Sequence, residues 1–505
     1  MRSKSIKSSW LWDTLGIFFL LGIFYAFRIG SYPLFTPDEG RYSEVAREMV
    51  STGDFITPHL NGVVFLDKPI LYYWMQASAI KIFGLTEAAL RFWPALLGIL
   101  CCVFVYFAGR QLFNRKAGIL AAFFLATSPL YYAGAHYANL DLEVASFISM
   151  SLLSLLLGIH SKKTGYFIAA YILAGLAMLT KGLMGIVFPM MITGAWILIL
   201  NRWSLIKEAR LGIGLLLFTA ITIPWYIAAQ FANPEFFHYF FVIQQFSRFL
   251  TLHEFNNQTP VWFYLPVIAL GFFPWTLFLV QAMSTNLKKV WRNPSSYPIE
   301  LFLLLWVFLI LIFFTIPHSK VMTYILPIFP ALALLVGNYI SQKNFKLGIY
   351  ILGVIAVIIA LTINTLSAHF NTKTIKPLAT YLNTIIKPED EIATYDIYYQ
   401  DLPIYTKRRI TIMADWHSPT IPNSDNWVRE LWYGMPFQDT SQWLINHQTF
   451  WQRWHNPKRM FVFLHVDDFA EFQKNAGSAV YPLGRYHNIV LASNQLNEKS
   501  IVSLK

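Results

Sequence analysis

Charge and cysteine are both scarce in this chain. Of its 505 residues only 13% are Asp, Glu, Lys or Arg, against 56% hydrophobic and 17% aromatic. A soluble protein of this length must cover itself with polar side chains, which this composition cannot do. The shortage excludes a soluble enzyme and leaves a membrane protein. The two cysteines, Cys101 and Cys102, are adjacent inside an apolar run, which excludes a disulfide scaffold and a metal site built from spaced cysteines. No strong internal repeat and no low-complexity segment is visible. No small-residue cleavage pattern follows the basic and then apolar N-terminus, MRSKSIKSSWLWDTLGIFFLLGIFYAF, so it reads as an uncleaved first span and not as a signal peptide. Acid is the scarcer sign, leaving a net charge of +12. The basic residues fall in short clusters between apolar runs, so the excess reads as membrane topology and not as a nucleic-acid site.

What the chain has instead is long apolar runs. A helix needs about 20 apolar residues to cross a hydrocarbon core. That length places spans near 10–30, 88–109, 117–134, 142–160, 166–180, 183–200, 211–230, 261–281, 299–316, 321–340 and 347–366. An alternating path through these eleven assigns every loop to a side before its charges are read. The loops on the N-terminal side carry Arg2, Lys4 and Lys7; Arg110, Arg115 and Lys116; Lys162 and Lys163; Arg202, Lys207 and Arg210; Lys288, Lys289 and Arg292; and Lys343 and Lys346. Glu208 is nearly the only acid among them. By the Lys/Arg loop rule this side is cytoplasmic.

The opposite face differs in kind. It holds the long 31–87 loop, the turn from His136 to Glu143, the 231–260 loop with Arg248, His253 and Glu254, and the His318-Ser319-Lys320 turn. Carboxylates, histidines and isolated cations gather there, which predicts one extracytoplasmic site. In the first of these loops Tyr42, Val45 and Met49 repeat at helical spacing behind Pro37-Asp38, and a second helix is predicted from Pro69. Helices with one apolar face lie in the membrane interface. At about Ser367 the composition turns mixed and polar. Runs at 392–397 and 460–466 read as buried strands, and 376–386 and 469–475 as helices. The division is thus a transmembrane domain over 1–366 and a small extracytoplasmic α/β domain over 367–505.

Several polar residues have both a structural and a chemical reading. Asp38, followed by Glu39, either caps the helix behind Pro37 or serves as a base or orienting carboxylate at the membrane surface. Asp67-Lys68-Pro69 is either a surface ion pair in a turn or, with Pro at a first helical position, an anion site at exposed N–H groups. Arg248, in QQFSRFL, either snorkels to headgroups or adds a second cation for a phosphate. Asp141, in HYANLDLEVA, either caps a span or marks function at membrane depth. His136, His253, Glu254 and His318 have no diagnostic metal spacing. Thr180-Lys181-Gly182 lacks the glycines of a phosphate loop.

PDEGRYSEVAREMVSTGDFITPHLNG followed by LDKPILYYW resembles the first periplasmic loop of bacterial 4-amino-4-deoxy-L-arabinose lipid A transferases. It also resembles the wider polyprenyl-phosphate-sugar glycosyltransferases related to protein O-mannosyltransferases. YANLDLEVA, AMLTKGLMG, IPWYIAAQ, FFHYFFVIQQFSRFL, TPVWFYLPVIALGFFPW and SKVMTYILPIFPALALL follow in the family's order, over roughly residues 10–340. The resemblance implies a GT-C type fold: a polytopic α-helical bundle with outer juxtamembrane helices and a C-terminal α/β extracytoplasmic domain. It implies transfer of a sugar from undecaprenyl phosphate to lipid A or another periplasmic acceptor, in the bacterial inner membrane, with membrane lipid and no nucleic acid as partner. It matches Asp38 and Asp141 to functional aspartates, Lys68 and Arg248 to lipid-phosphate contacts, and Tyr324 to a tyrosine of the same cavity. Glu39 joins the expected catalytic set, and Arg41, Tyr42 and Lys320 the substrate contacts. Asp67 stands where many members have a Glu associated with a divalent metal, and Gln245 where a related motif has His.

The chemistry expected is direct displacement with inversion at the sugar carbon. Lys68 and Arg248 would stabilise the departing lipid phosphate, and Asp38 would orient or deprotonate the acceptor. A protein or another glycan as acceptor is the alternative within the class. A transporter or lipid flippase is the alternative outside it, and predicts broken helices with ionisable residues meeting at mid-membrane.

Overall fold

The computed structural model describes residues 2–247, 259–343, 345–424, 426–477 and 480–496. Among these residues seven helices are long and apolar enough to cross a membrane, including Phe92–Leu112, Leu140–Ser161, Leu211–Ala232 and Leu347–Phe370. Two bent pairs and the shorter apolar helices Trp10–Ala26 and Met184–Leu200 account for the rest of the eleven expected spans. Two of those spans are not the straight helices predicted. Arg115–Ala126 meets Pro129–Ala135 at 66°, and Val261–Gly271 meets Trp275–Arg292 at 108°. A proline stands at each break, Pro129 opening the second helix of the first pair and Pro274 lying between those of the second. Proline supplies no N–H and its ring clashes with the preceding turn, so the helix ends there.

Leu140–Ser161 is the axis of the bundle, with 94% of its apolar window buried inside the protein. Its sequence explains the position. Ser146, Ser149, Ser151, Ser154 and Gly158 distribute small residues around the helix, all of them buried, and small residues let neighbouring helices approach closely. Ser151 turns its hydroxyl to the Ala170 carbonyl at 2.8 Å, tying the axis to Thr164–Lys181. The first turn of this central helix carries Asp141 and Glu143.

Two helices of the first long loop lie at the same end of the bundle, Asp38–Thr52 and Leu71–Phe83. The second starts later than predicted, with Ile70 as its cap, so Pro69 is not its first residue and the anion site expected there on helix geometry does not form. Asp38–Thr52 buries Tyr42, Val45 and Met49, the three positions its periodicity singles out.

Beyond the last long helix, Lys346–Phe370, the chain forms a six-stranded sheet. Leu444–Ile445, Thr411–Met413, Glu391–Tyr395 and Met460–His465 lie side by side and parallel, and Ile489–Ser493 and Tyr481–Tyr486 add an antiparallel edge. Ala393 sits in register between Thr411 and Val462. This unit shares its core with the outer helices. One apolar cluster runs from Tyr42, Val45, Met49 and Leu60 into Ile375, Leu378, Ile410, Phe461 and Leu491. Polar contacts cross the same junction. The Asn61 amide donates to the Ile410 carbonyl and its oxygen accepts the Ile410 N–H, both at 2.8 Å.

Gly40 shows how tight the junction is. A Cβ there would lie 2.7 Å from the Asp401 backbone nitrogen and 2.8 Å from the Gln400 carbonyl carbon. Backbone cannot swing aside as a side-chain end does. We expect Gly40→Ala to destabilise the chain by about 1–3 kcal/mol, read as a lowered midpoint of thermal unfolding in detergent; an unchanged midpoint contradicts this packing.

Candidate active site

Glu39 does not face a cavity. Its carboxylate is fully buried in a double contact with Arg91, at 2.7 Å from both Nε and Nη2, and accepts the N–H groups of Phe35 at 2.7 Å and Ala138 at 2.6 Å. Arg91 spends its other N–H groups on the carbonyls of Ile29, Tyr32 and Pro33 at 3.0 Å. The expectation that Glu39 is catalytic is therefore corrected: all its acceptor capacity is used in holding three chain segments together.

Asp38 is free of the capping role that its place beside Pro37 suggested. It is the first residue of its helix and makes no cap bond. Its carboxylate instead pairs with Arg41 one turn on, with the Tyr137 hydroxyl 3.4 Å away. The other terminal nitrogen of Arg41 pairs with Glu430, from the C-terminal unit. Side-chain exposure rises from 13% at Arg41 to 24% at Glu430 and 35% at Asp38, so Asp38 is the accessible end of this chain of charges.

Asp67 lies nearby, buried, accepting bonds from the Tyr239 hydroxyl and from the Gln244 amide at 3.0 Å. Lys68, half-buried, directs its ammonium to the Asp67 carbonyl at 3.1 Å. The Tyr239 and Gln244 donors both meet one Asp67 carboxylate oxygen, Oδ1, and among the described residues no three of His, Cys, Asp and Glu converge. Arg248, His253 and Glu254 lie outside the described residues. Gln245 belongs to the helical turn His238–Ser247. His136 is a packing residue, with Nδ1 2.9 Å from the Tyr132 carbonyl and its ring 4.2 Å from the Tyr132 ring.

Asp141 occupies a second pocket of the same site. Asn139 caps the helix, accepting the Asp141 N–H at 2.9 Å, which leaves the Asp141 carboxylate to pair with Lys181 and to accept from Thr323. The Lys181 ammonium also lies 4.3 Å from the centre of the Tyr324 ring. In the sequence Lys181 stands only within Thr180-Lys181-Gly182, which lacks the glycines of a phosphate loop. A signal existed: Lys181 falls at a span end on the outer face, and an ionisable residue there marks function. Glu430 had no such signal. Lys320 is buried, and its ammonium donates to the Thr259 carbonyl at 3.2 Å, bracing a turn.

Tyr42 joins these parts. Burial pushes its phenol up, the positive charge of Arg41 opposes this, and the negative charges of Asp38, Asp141 and Glu430 add to it. Carboxylates from three separate parts of the chain thus act on one hydroxyl. The tertiary structure brings together Asp38, Arg41, Tyr42, Asp67, Lys68, Asp141 and Tyr324, and adds Lys181 and Glu430. Breaking a buried pair from one side leaves a charge without its partner. Lys181→Met is expected to lower stability by about 3–5 kcal/mol. The double variant Asp141→Asn, Lys181→Met should recover most of that loss in thermal unfolding, and equal losses in both chains would contradict the pairing.

Residues 67–228 match the family described as dolichyl-phosphate-mannose-protein mannosyltransferase. The undecaprenyl phosphate-alpha-4-amino-4-deoxy-L-arabinose arabinosyl transferase of Aeromonas hydrophila is 33% identical over 358 residues, 68% of this chain and 64% of that protein. Its namesake from Yersinia enterocolitica is 34% identical over 340 residues, 66% of this chain and 60% of its own length. The chain thus covers less than two thirds of the length of these curated relatives. The crystal structure of ArnT from Cupriavidus metallidurans bound to undecaprenyl phosphate superposes with a TM-score of 0.84 at 22% identity, over 97% of this chain and 98% of that one. At that identity the likeness is one of fold. In sequence and fold the chain is therefore similar to the bacterial undecaprenyl-phosphate aminoarabinose transferases, a multi-pass GT-C type membrane protein whose residues 67–228 carry the mannosyltransferase family match.

Proposed function

We propose that this protein is an inverting glycosyltransferase of the bacterial inner membrane, moving 4-amino-4-deoxy-L-arabinose from undecaprenyl phosphate to lipid A at the periplasmic face. The observation that carries the reading is the Asp38–Arg41 pair at one end of the bundle, with the Asp67 charge acting on Arg41 and Asp38 left as the accessible carboxylate. The named relatives use this donor. The periplasmic placement rests on the basic loops at the other end, which the positive-inside rule assigns to the cytoplasm.

The reaction breaks the bond between the anomeric carbon and the lipid phosphate and forms one to an acceptor oxygen on the opposite face. Lys68, with Arg248, takes up charge that stays on the departing phosphate. Asp38 aligns the acceptor at the anomeric carbon. A lipid A phosphate is already anionic, so alignment counts for more than proton removal. Arg41 keeps the Asp38 carboxylate from turning away. Asp141 holds Lys181 against Tyr324, shaping the inner wall of the cavity. The clustering of ionisable groups at one end of the bundle also favours this reading over a transporter, which places them midway.

The test is mass spectrometry of lipid A from cells supplied with undecaprenyl-phosphate aminoarabinose and making the intact protein, its Asp38→Ala variant or neither. The aminoarabinose mass should appear with the intact protein and fall by about a hundredfold or more with Asp38→Ala. Unmodified lipid A in the presence of folded intact protein overturns this donor and acceptor pair and directs the assay to protein and glycan acceptors.

A further inference from the structure

The C-terminal unit reaches into the site through a single helical turn. Asn426 starts it, accepting the N–H groups of Val428 and Arg429 at 3.1 and 3.3 Å, and the helix Trp427–Trp432 follows. Glu430 and Tyr433 stand three residues apart, so they share one face of that turn. Glu430 pairs with Arg41, which pairs with Asp38. Tyr433 packs its ring on Tyr239, centroids 5.2 Å apart, and the Tyr239 hydroxyl bonds to Asp67. Two acidic residues of the first outer loop are therefore supported from the C-terminal unit, Asp38 through Arg41 and Asp67 through Tyr239.

The turn is seated without slack. A Cβ on Gly434 would run into the Val64 carbonyl oxygen and lie 2.5 Å from the Val63 side chain. The Gln438 amide donates to the Gly62 carbonyl just beyond. Asp67, Tyr239, Glu430 and Tyr433 line one small cleft together with Val64 and Leu66. An arginine side chain has many rotamers, and a carboxylate on one edge of its planar fork fixes the direction of the other edge. Glu430 supplies that fixed edge, so the Arg41–Asp38 contact has a defined direction only while the C-terminal unit is in place.

We infer that Glu430 is a positioning residue for the transfer reaction, fixing Arg41 and through it Asp38, so that the reaction centre is complete only with the C-terminal unit seated. The inference rests on the function proposed above and gives the C-terminal unit a part in it. Glu430 does not touch the reacting atoms. Its removal should lower the rate of the chemical step while leaving donor binding in place.

The test is steady-state transfer by the full chain in proteoliposomes, with undecaprenyl-phosphate aminoarabinose and lipid A, alongside thermal unfolding of each variant. Glu430→Gln, which keeps the shape and loses the charge, should lower kcat by about tenfold or more with donor KM within about twofold. Glu430→Asp, which keeps the charge, should recover part of the loss. Lys376→Met breaks another ion pair at the same junction, with Glu87, and should leave kcat unchanged. An active wild type with Glu430→Gln at full kcat overturns the inference alone. So does a loss of kcat matched by Lys376→Met, or one no larger than the unfolded fraction of Glu430→Gln explains. A folded wild type inactive on this pair overturns the functional reading and the inference with it.

Discussion

The arrangement depends on one buried ion pair, Glu39 with Arg91. Both side chains are fully buried, where an unpaired charge would cost several kcal/mol. The pair is tolerated because nothing in it is left unsatisfied. All five guanidinium N–H groups find a carboxylate or carbonyl oxygen, and the ring of Tyr32 lies 3.9 Å from the guanidinium carbon. Buried pairs of this kind are poor sources of net stability, and what they supply is position. Here the pair locks the start of Asp38–Thr52 to the start of Phe92–Leu112 and to the turn at Ala138. Asp38 precedes Glu39 directly, so its place is set by its neighbour's bonds.

A second fixed point is the central helix Leu140–Ser161. Its small and apolar residues bury it on all sides, and that burial puts its first turn, with Asp141, inside the protein instead of at a lipid surface. A carboxylate in such a place needs a cation, which Lys181 supplies from the end of the next helix. The Thr323 hydroxyl adds a third segment. One residue thereby holds three helices at the depth where the candidate cavity opens.

The α/β unit completes the cavity from the other side. Its core is continuous with that of the outer helices, and glycines at 40 and 434 allow backbone to meet backbone across the junction. Glu430 meets the Arg41 that pairs with Asp38, and Tyr433 packs on the Tyr239 that bonds to Asp67. The unit therefore acts as a wall of the site and not only as a neighbour to it.

The sequence by itself determined the eleven apolar segments, since a helix in hydrocarbon satisfies its own backbone and needs only a long enough apolar run. It also determined the outer helix at Asp38, through its 3.6-residue spacing, and the closeness in the chain of Asp38, Arg41 and Tyr42, then of Asp67 and Lys68. The breaks at Pro129 and Pro274 were legible in principle, though hydropathy averages over them. The tertiary structure alone decided the partners. Arg41 and Glu430 are 389 residues apart, Asp141 and Lys181 are 40 apart, and Glu39 and Arg91 are 52 apart. Local spacing carries no record of such contacts, because an ion pair is specified by where two elements pack and not by the pattern within either one. For the same reason Glu39 and Asp38, adjacent and alike in the sequence, part company in the fold: one turns inward to Arg91 and becomes structure, and the other turns outward and stays available for chemistry.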